Sequence, residues 1–131
     1  MIGLDTNVLV RYIAQDDAKQ SPRATALIDS LSKDRPGFIP MVCLVELVWV
    51  MQSCYQSSRQ DVIAILNMLV RTQELRVENI ETVINAIRLF AASKADFSDC
   101  LIERSAHASG CDYTVSLDAQ VVKSAGMRAV E

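Results

Sequence analysis

The stretch that decides the fold is Met1-Ile2-Gly3-Leu4-Asp5-Thr6-Asn7. A short apolar run stops on a carboxylate and gives way to a helical pattern, with Val8, Leu9, Tyr12 and Ile13 recurring at helical spacing. Residues 2–4 therefore read as a central strand, residues 7–14 as a short helix, and Asp5 as the residue at the strand's carboxyl end. In open α/β sheets, ligands sit outside the carboxyl ends of the strands. With Met1 opening the strand, the chain is expected to begin inside its own core. An acid placed there has to pair, bind a cation or cap the next helix. What matters for the rest of the chain is whether other acids converge on it.

Strand and helix patterns alternate from there on. Ser21-Pro22 predicts a helix start, with Ser as the N-cap and Pro at the first helical position, and Ala24, Leu27, Ile28 and Leu31 on the inner face. Residues 33–37 form a turn and residues 38–40 a second short strand. Residues 41–51 carry a single charge, Glu46, and their length, continuing to Tyr55, predicts a buried helix. Residues 57–61 open another helix through Val62, Ile65, Leu66 and Leu69, and residues 74–78 alternate as a strand. Residues 81–93 predict a helix with Val83, Ile84, Ile87 and Phe90 inward. The next helix starts within residues 95–102 and ends at Gly110, a usual residue just past a helix end. Residues 111–117 are apolar and β-branched, which predicts a buried strand stopping on Asp118. A short helix near 119–124, Gly126 and a small strand at 128–130 complete the chain. Strands alternating with helices mean an α/β fold with a mostly parallel central sheet, expected as a single domain over residues 1–131.

A chain of 131 residues, 50% of them hydrophobic, can bury a substantial core, and disorder is excluded. The apolar stretches are cut by Asp5, Arg11 and Glu46, short of the ~20 apolar residues a membrane span needs. No membrane association and a cytoplasmic location are expected. Cys43, Cys54, Cys100 and Cys111 show no spacing of zinc ligands and read as buried thiols in a reducing compartment. The net charge of −3 does not exclude a polyanionic partner. Setting aside the five acids discussed next leaves the remaining body at +2, so an acidic pocket filled by cations can still meet a polyanion.

Asp118 repeats the situation of Asp5: an apolar strand, a carboxylate at its end, then a helix. Either residue alone is equally well read as a helix cap. Two such strands in one parallel sheet would set both acids on the same rim. Asp96 and Asp99 lie three apart at a helix start, which is also the spacing of a capping box. A capped first turn still holds both carboxylates at one end of the helix. Glu46 is the most informative acid. Its neighbours on both sides are apolar, so the face it occupies is expected to be largely covered. The nearest basic residues, Arg35 and Arg59, are eleven and thirteen positions away. A buried unpaired carboxylate costs several kcal/mol, so Glu46 either lies on a helix edge, pairs with a distant arginine, or faces other carboxylates across a metal ion.

Carboxylates gathered without His or Cys are the donor set of a hard cation, Mg2+ or Mn2+, with one or two ions per site. Such ions favour phosphate substrates and lower the pKa of bound water. Thr6, Asn7, Thr114 and Ser116 flank the proposed rim as candidates for orienting water or supporting hydrogen bonds. Arg11, Lys94 and Arg104 are the nearest basic residues to the acids and candidate phosphate contacts. His107, Trp49 and Tyr55 read as a surface or capping histidine and as core or interface aromatics.

The order of motifs resembles the PIN-domain ribonucleases, and within them the VapC-type toxins of prokaryotic toxin–antitoxin pairs. The stretches that carry the resemblance are Leu4-Asp5-Thr6-Asn7-Val8-Leu9-Val10-Arg11-Tyr12 and Val45-Glu46-Leu47, followed by Ala95-Asp96-Phe97-Ser98-Asp99-Cys100-Leu101-Ile102 and Gly110-Cys111-Asp112-Tyr113-Thr114-Val115-Ser116-Leu117-Asp118. The resemblance implies a three-layer α/β/α sandwich with strand order 3-2-1-4-5. It implies an acidic quartet on Asp5, Glu46, Asp99 and Asp118, with Asp96 in support. It also implies cleavage of RNA with Mg2+ or Mn2+, homodimerisation, and silencing by an antitoxin protein. Two departures concern substrate choice and partner rather than the acids. Glu103 and Arg104 stand where small residues are usual, and Ser116 replaces the usual Thr with retention of the hydroxyl.

The sequence therefore reads as a metal-dependent endoribonuclease, with Asp5, Asp99 and Asp118 expected to hold the principal metal and Glu46 to complete the site. An aspartyl-nucleophile phosphatase would need a second acid at position 7, where Asn7 stands. The alternatives are a structure-specific 5′-nuclease on DNA and a non-catalytic module whose acidic pocket docks a basic partner.

Overall fold

Gly37 sits where three leucines meet. A Cβ there would come within 2.9 Å of Leu4 Cδ1 and Leu31 Cδ1 and 3.2 Å of Leu75 Cδ2. It opens β2 (Gly37–Ile39), the middle of three parallel strands, between β1 (Ile2–Gly3) and β3 (Leu75–Val77). Ile2 is in register with Gly37, and Gly37 with Leu75. The Leu4 N–H donates to the Phe38 carbonyl at 2.9 Å and the Gly37 N–H to that of Glu74 at 2.8 Å. Parallel neighbours need a crossover, and helices supply it. α1 (Thr6–Ala14) and α2 (Gln20–Ser30) connect β1 to β2, and α3 (Met41–Cys54) and α4 (Arg59–Arg71) connect β2 to β3.

The computed structural model describes residues 1–131, which divide into two compact units, Met1–Glu78 and Asn79–Glu131. The first unit closes around Leu9, Ile39, Leu44, Leu47, Leu66 and Leu69, none of which reaches solvent. Each large apolar side chain buried in this way contributes about 1.5–3 kcal/mol. α4 begins with a reciprocal capping box, in which the Ser58 hydroxyl accepts from the Asp61 N–H while the Asp61 carboxylate accepts from the Ser58 N–H.

The second unit contains α5 (Ile80–Ala92), α6 (Phe97–Ala108), β4 (Val115–Ser116), α7 (Ala119–Ala125) and β5 (Arg128–Ala129). α5 packs on α6, where Phe90 and Phe97 meet edge to face with ring centroids 5.9 Å apart. Gly110 and Gly126, both at positive φ, close α6 and α7. β4 and β5 form a parallel pair, with Arg128 N–H donating to the Thr114 carbonyl at 2.8 Å.

The α/β class with parallel strands is as the sequence indicates, and four details differ. Against the expected single order 3-2-1-4-5, the strands pair as β1-β2-β3 within the first unit and as β4-β5 within the second. Residues 111–117 do not form a buried strand. Only Val115 and Ser116 extend, and Val115 and Leu117 are 51% and 90% exposed. Two-residue strands in a two-stranded ladder have too little area to cover both faces, whatever their apolar content. Ser21 is not the cap of α2, because the Asp17 carboxylate accepts from both the Lys19 and Gln20 amides at 2.9 and 2.7 Å and starts the helix earlier. Ser21 is instead buried and donates to the Arg11 carbonyl. Cys43 and Cys100 are buried thiols as expected, but Cys54 and Cys111 are exposed. No helix is long and apolar enough to cross a membrane.

Candidate active site

The first unit brings Asp5 and Glu46 to one pocket. Asp5 ends the β1 segment in extended conformation and caps α1, its Oδ1 accepting from the Thr6 N–H at 2.7 Å. Glu46 projects from the middle of α3, and its Oε1 accepts from the Thr6 hydroxyl at 2.7 Å. Thr6 thus links the two carboxylates, one through its amide and one through its side chain. It can do so because it is the first residue of α1, where the amide has no helical acceptor of its own. Each acid spends one oxygen in this way, and the other has no protein partner. The pocket, about 330 Å3, is lined by Asp5, Thr6, Asn7, Arg11, Glu46 and Val50 among others.

Glu46 is exposed, not covered as its apolar neighbours suggest. α3 packs only the stripe of Cys43, Leu44, Leu47, Val48 and Met51. Val42 and Trp49, one turn before and after Glu46, are 63% and 65% exposed. Helical periodicity puts Glu46 on that outward stripe, so an all-round apolar helix hides its charged residue less than its composition implies. Trp49, accordingly, is not a core residue.

The second unit sets Asp99 in the fields of Asp96 and Asp118. Asp96 is at the N-cap of α6, yet its side chain accepts no capping hydrogen bond, so the predicted capping box is not made. Asp99 stands in the first turn of α6 and is partly buried. Its pKa is raised, first by burial and then by the negative charges of Asp96 and Asp118. No basic side chain relieves it. Asp118 caps α7, its Oδ1 accepting from the Gln120 N–H at 2.9 Å. The Ser116 hydroxyl, two residues earlier, accepts from the Asp118 N–H at 3.0 Å and holds the turn. Thr114 contributes its carbonyl to the β4-β5 ladder.

The candidate acids thus stand in two groups, one in each unit. Neither unit by itself gathers three His, Cys, Asp or Glu side chains into a preformed ion cage. The donor chemistry nevertheless fits a hard cation: every group is a carboxylate, one oxygen each of Asp5, Glu46 and Asp118 has no protein partner, and Asp99 is pushed toward its neutral form by burial and by two negative neighbours. Among the candidate cations, Arg11 lines the Asp5–Glu46 pocket and is held by Gln20 and Asp16. Arg104 is occupied by its neighbour Glu103. Val50, which also lines the pocket, was legible from its position one turn beyond Glu46 on the same helix face.

The model of the PIN-domain family matches residues 2–126. The chain belongs to the PIN-domain family. The matched segment of this PIN domain includes all five acids and most of each unit. The chain is also similar to a VapC ribonuclease of Aquifex aeolicus (strain VF5), 25% identical over 113 residues that cover 86% of this chain and 84% of that protein.

Proposed function

We propose that this PIN domain is a divalent-metal-dependent endoribonuclease, hydrolysing RNA phosphodiester bonds as the toxin of a type II toxin–antitoxin pair. The observation that carries the reading is the double hydrogen bond of Thr6, which sets the carboxylates of Asp5 and Glu46 in one pocket with an oxygen of each left open. The uncompensated acids of the second unit and the kinship to a VapC ribonuclease support it.

In this reading residues 1–131 act as one catalytic domain. Asp5, Asp99 and Asp118 hold the principal Mg2+ or Mn2+, Glu46 completes the site or holds a second ion, and Asp96 assists as a neighbouring negative charge. A bound divalent ion supplies an acidified water and neutralises charge on the phosphate. The chain's own contribution is orientation. Thr6 fixes two carboxylates, Ser116 and the α7 amide fix Asp118, and the α6 backbone carries Asp99 without a competing donor. Asn7 and Arg11 share the Asp5–Glu46 pocket, and in this reading they meet a phosphate oxygen. The protein acts in the cytoplasm as a homodimer and is silenced by an antitoxin protein.

The test is incubation of the purified protein with total RNA, with and without Mn2+, followed by sequencing of the cleaved ends. Endonucleolytic cuts leaving 5′-phosphates, only with metal, are expected. Cleavage confined to structured DNA would move the reading to a 5′-nuclease. Tight binding of a basic peptide without any hydrolysis would leave only an acidic docking module.

A further inference from the structure

A second cleft opens beside the Asp5–Glu46 pocket and shares two of its residues, Asn7 and Arg11. It lies between α1 and α2 and encloses about 300 Å3, within the range of small-ligand sites. Its lining is part apolar, from Val8, Ala24 and Leu27, and part polar and cationic, from Gln20 and Arg23 together with the shared Asn7 and Arg11. Arg11 is already engaged, its Nε donating to Gln20 Oε1 at 2.8 Å and its Nη1 facing Asp16 at 3.3 Å. Arg23 is paired with no carboxylate. It stands in the first turn of α2, which holds no acidic residue of its own, and the Asp17 carboxylate is taken up by the Lys19 and Gln20 amides. An anion in the cleft would balance the charge of Arg23.

We propose that this cleft is a nucleotide subsite, taking the RNA residue next to the scissile phosphate, with Arg23 as its phosphate-binding residue and the apolar lining of Val8 and Leu27 receiving the base. The proposal rests on the ribonuclease reading for its place in the reaction. Apolar lining and a guanidinium in one cleft suit a unit that is flat at one end and anionic at the other. An acidic peptide would use the arginine but leave the apolar lining unexplained. Continuity with the acidic pocket favours a chain that runs through both: phosphate at Arg23, the reacting phosphate beside the carboxylates. The Gln20 side chain, by holding Arg11, keeps the boundary between the two compartments in place.

The test uses the full chain in the cleavage-silenced Asp5→Asn form, without divalent ions, titrated with a single-stranded oligoribonucleotide at several salt concentrations. Adding Arg23→Ala is expected to weaken binding about tenfold and to reduce the salt slope by about 0.7, the share of one phosphate contact on a single strand. Arg23→Lys should restore the slope. In the Asp5-containing protein, Arg23→Ala should raise KM and leave kcat unchanged. Unaltered affinity and slope in Arg23→Ala would overturn the proposal. Uridine 5′-monophosphate titrated into 15N-labelled protein should shift the amides of Gln20, Arg23 and Leu27. A glutamate-rich peptide shifting them where the nucleotide does not would overturn the subsite in favour of a protein contact. If the unaltered protein cuts no RNA in Mn2+ but the nucleotide still shifts these amides, the nuclease reading fails and the subsite stands.

Discussion

The Thr6 hydroxyl donates to Glu46 Oε1 at 2.7 Å across forty positions of sequence, and so ties the first turn of α1 to the middle of α3. Thr6 is 8% exposed, one of few buried polar side chains in the molecule. A buried hydroxyl that loses its acceptor costs more than the bond's net contribution of about 1 kcal/mol. Thr6→Val removes the donor while keeping the shape. It should lower stability by about 1 kcal/mol and lower kcat more than it raises KM, because Glu46 is freed to rotate. Thr6→Ser should restore both. Denaturant melts with steady-state cleavage assays read the two effects separately.

Asp5 caps a helix and lines the pocket, and one substitution separates the roles. Asparagine caps as well as aspartate, so Asp5→Asn should unfold within about 0.5 kcal/mol of the unaltered protein. Its metal-dependent cleavage should nevertheless be lost. Asp5→Ala should lose cleavage and also about 1 kcal/mol of stability. An Asp5→Asn protein that still cuts RNA would remove Asp5 from the catalytic set.

Asp99 gives the protein a pH dependence of definite sign. Burial, then the charges of Asp96 and Asp118, raise its folded-state pKa above the ordinary 3.8. The folded chain therefore binds this proton more tightly than the unfolded chain. Its contribution carries no penalty below 3.8, loses stability as pH rises through the folded-state pKa, and stays at the penalised level above that. Asp99→Asn should accordingly be more stable than the unaltered protein at pH 7 and lose that advantage at pH 3, as urea melts at the two pH values would show. The stabilised neutral acid is also the form that cannot hold a cation, so activity should rise with pH through the same window.

Mn2+ should reverse the penalty. At pH 7 it is expected to raise the melting temperature, with chelation returning it, since a ligand of the folded state alone stabilises by mass action. Asp99→Asn should blunt the shift. Equal shifts in the two proteins would place the ion elsewhere.

Gly37 is the packing test. Its added methyl in Gly37→Ala would enter the space of Leu4, Leu31 and Leu75, all buried. Overpacking of this kind costs about 1–3 kcal/mol. The neighbours are the flexible ends of leucines, so the variant should fold, melt earlier and keep its activity per folded molecule.

Thiol labelling separates the cysteines. Cys54 and Cys111 should react with a water-soluble disulfide reagent in the native protein, and Cys43 and Cys100 only after unfolding.

The helices and strands, their order, and the acids at their ends were legible in the sequence because each rests on local chemistry. Periodicity of apolar residues places the elements, Gly110 and Gly126 close helices, and a carboxylate after an apolar run marks a strand end. Asp5 and Asp118 each cap a helix, a role that their local pattern allows as readily as ligand binding.

What the sequence could not decide is which side of each element is covered. Residues 41–51 are apolar all round, and only the elements packed against α3 choose the Leu44–Leu47–Met51 stripe and turn Glu46 outward. Residues 111–117 have a core strand's composition, yet the ladder they join is too small to cover them. The bond from Thr6 to Glu46, and the cleft that brings Arg23 beside Asn7 and Arg11, join segments whose separation along the chain carries no signal. Local propensity fixes what each segment becomes. Tertiary packing alone fixes what each side chain faces, because burial is a property of pairs of elements.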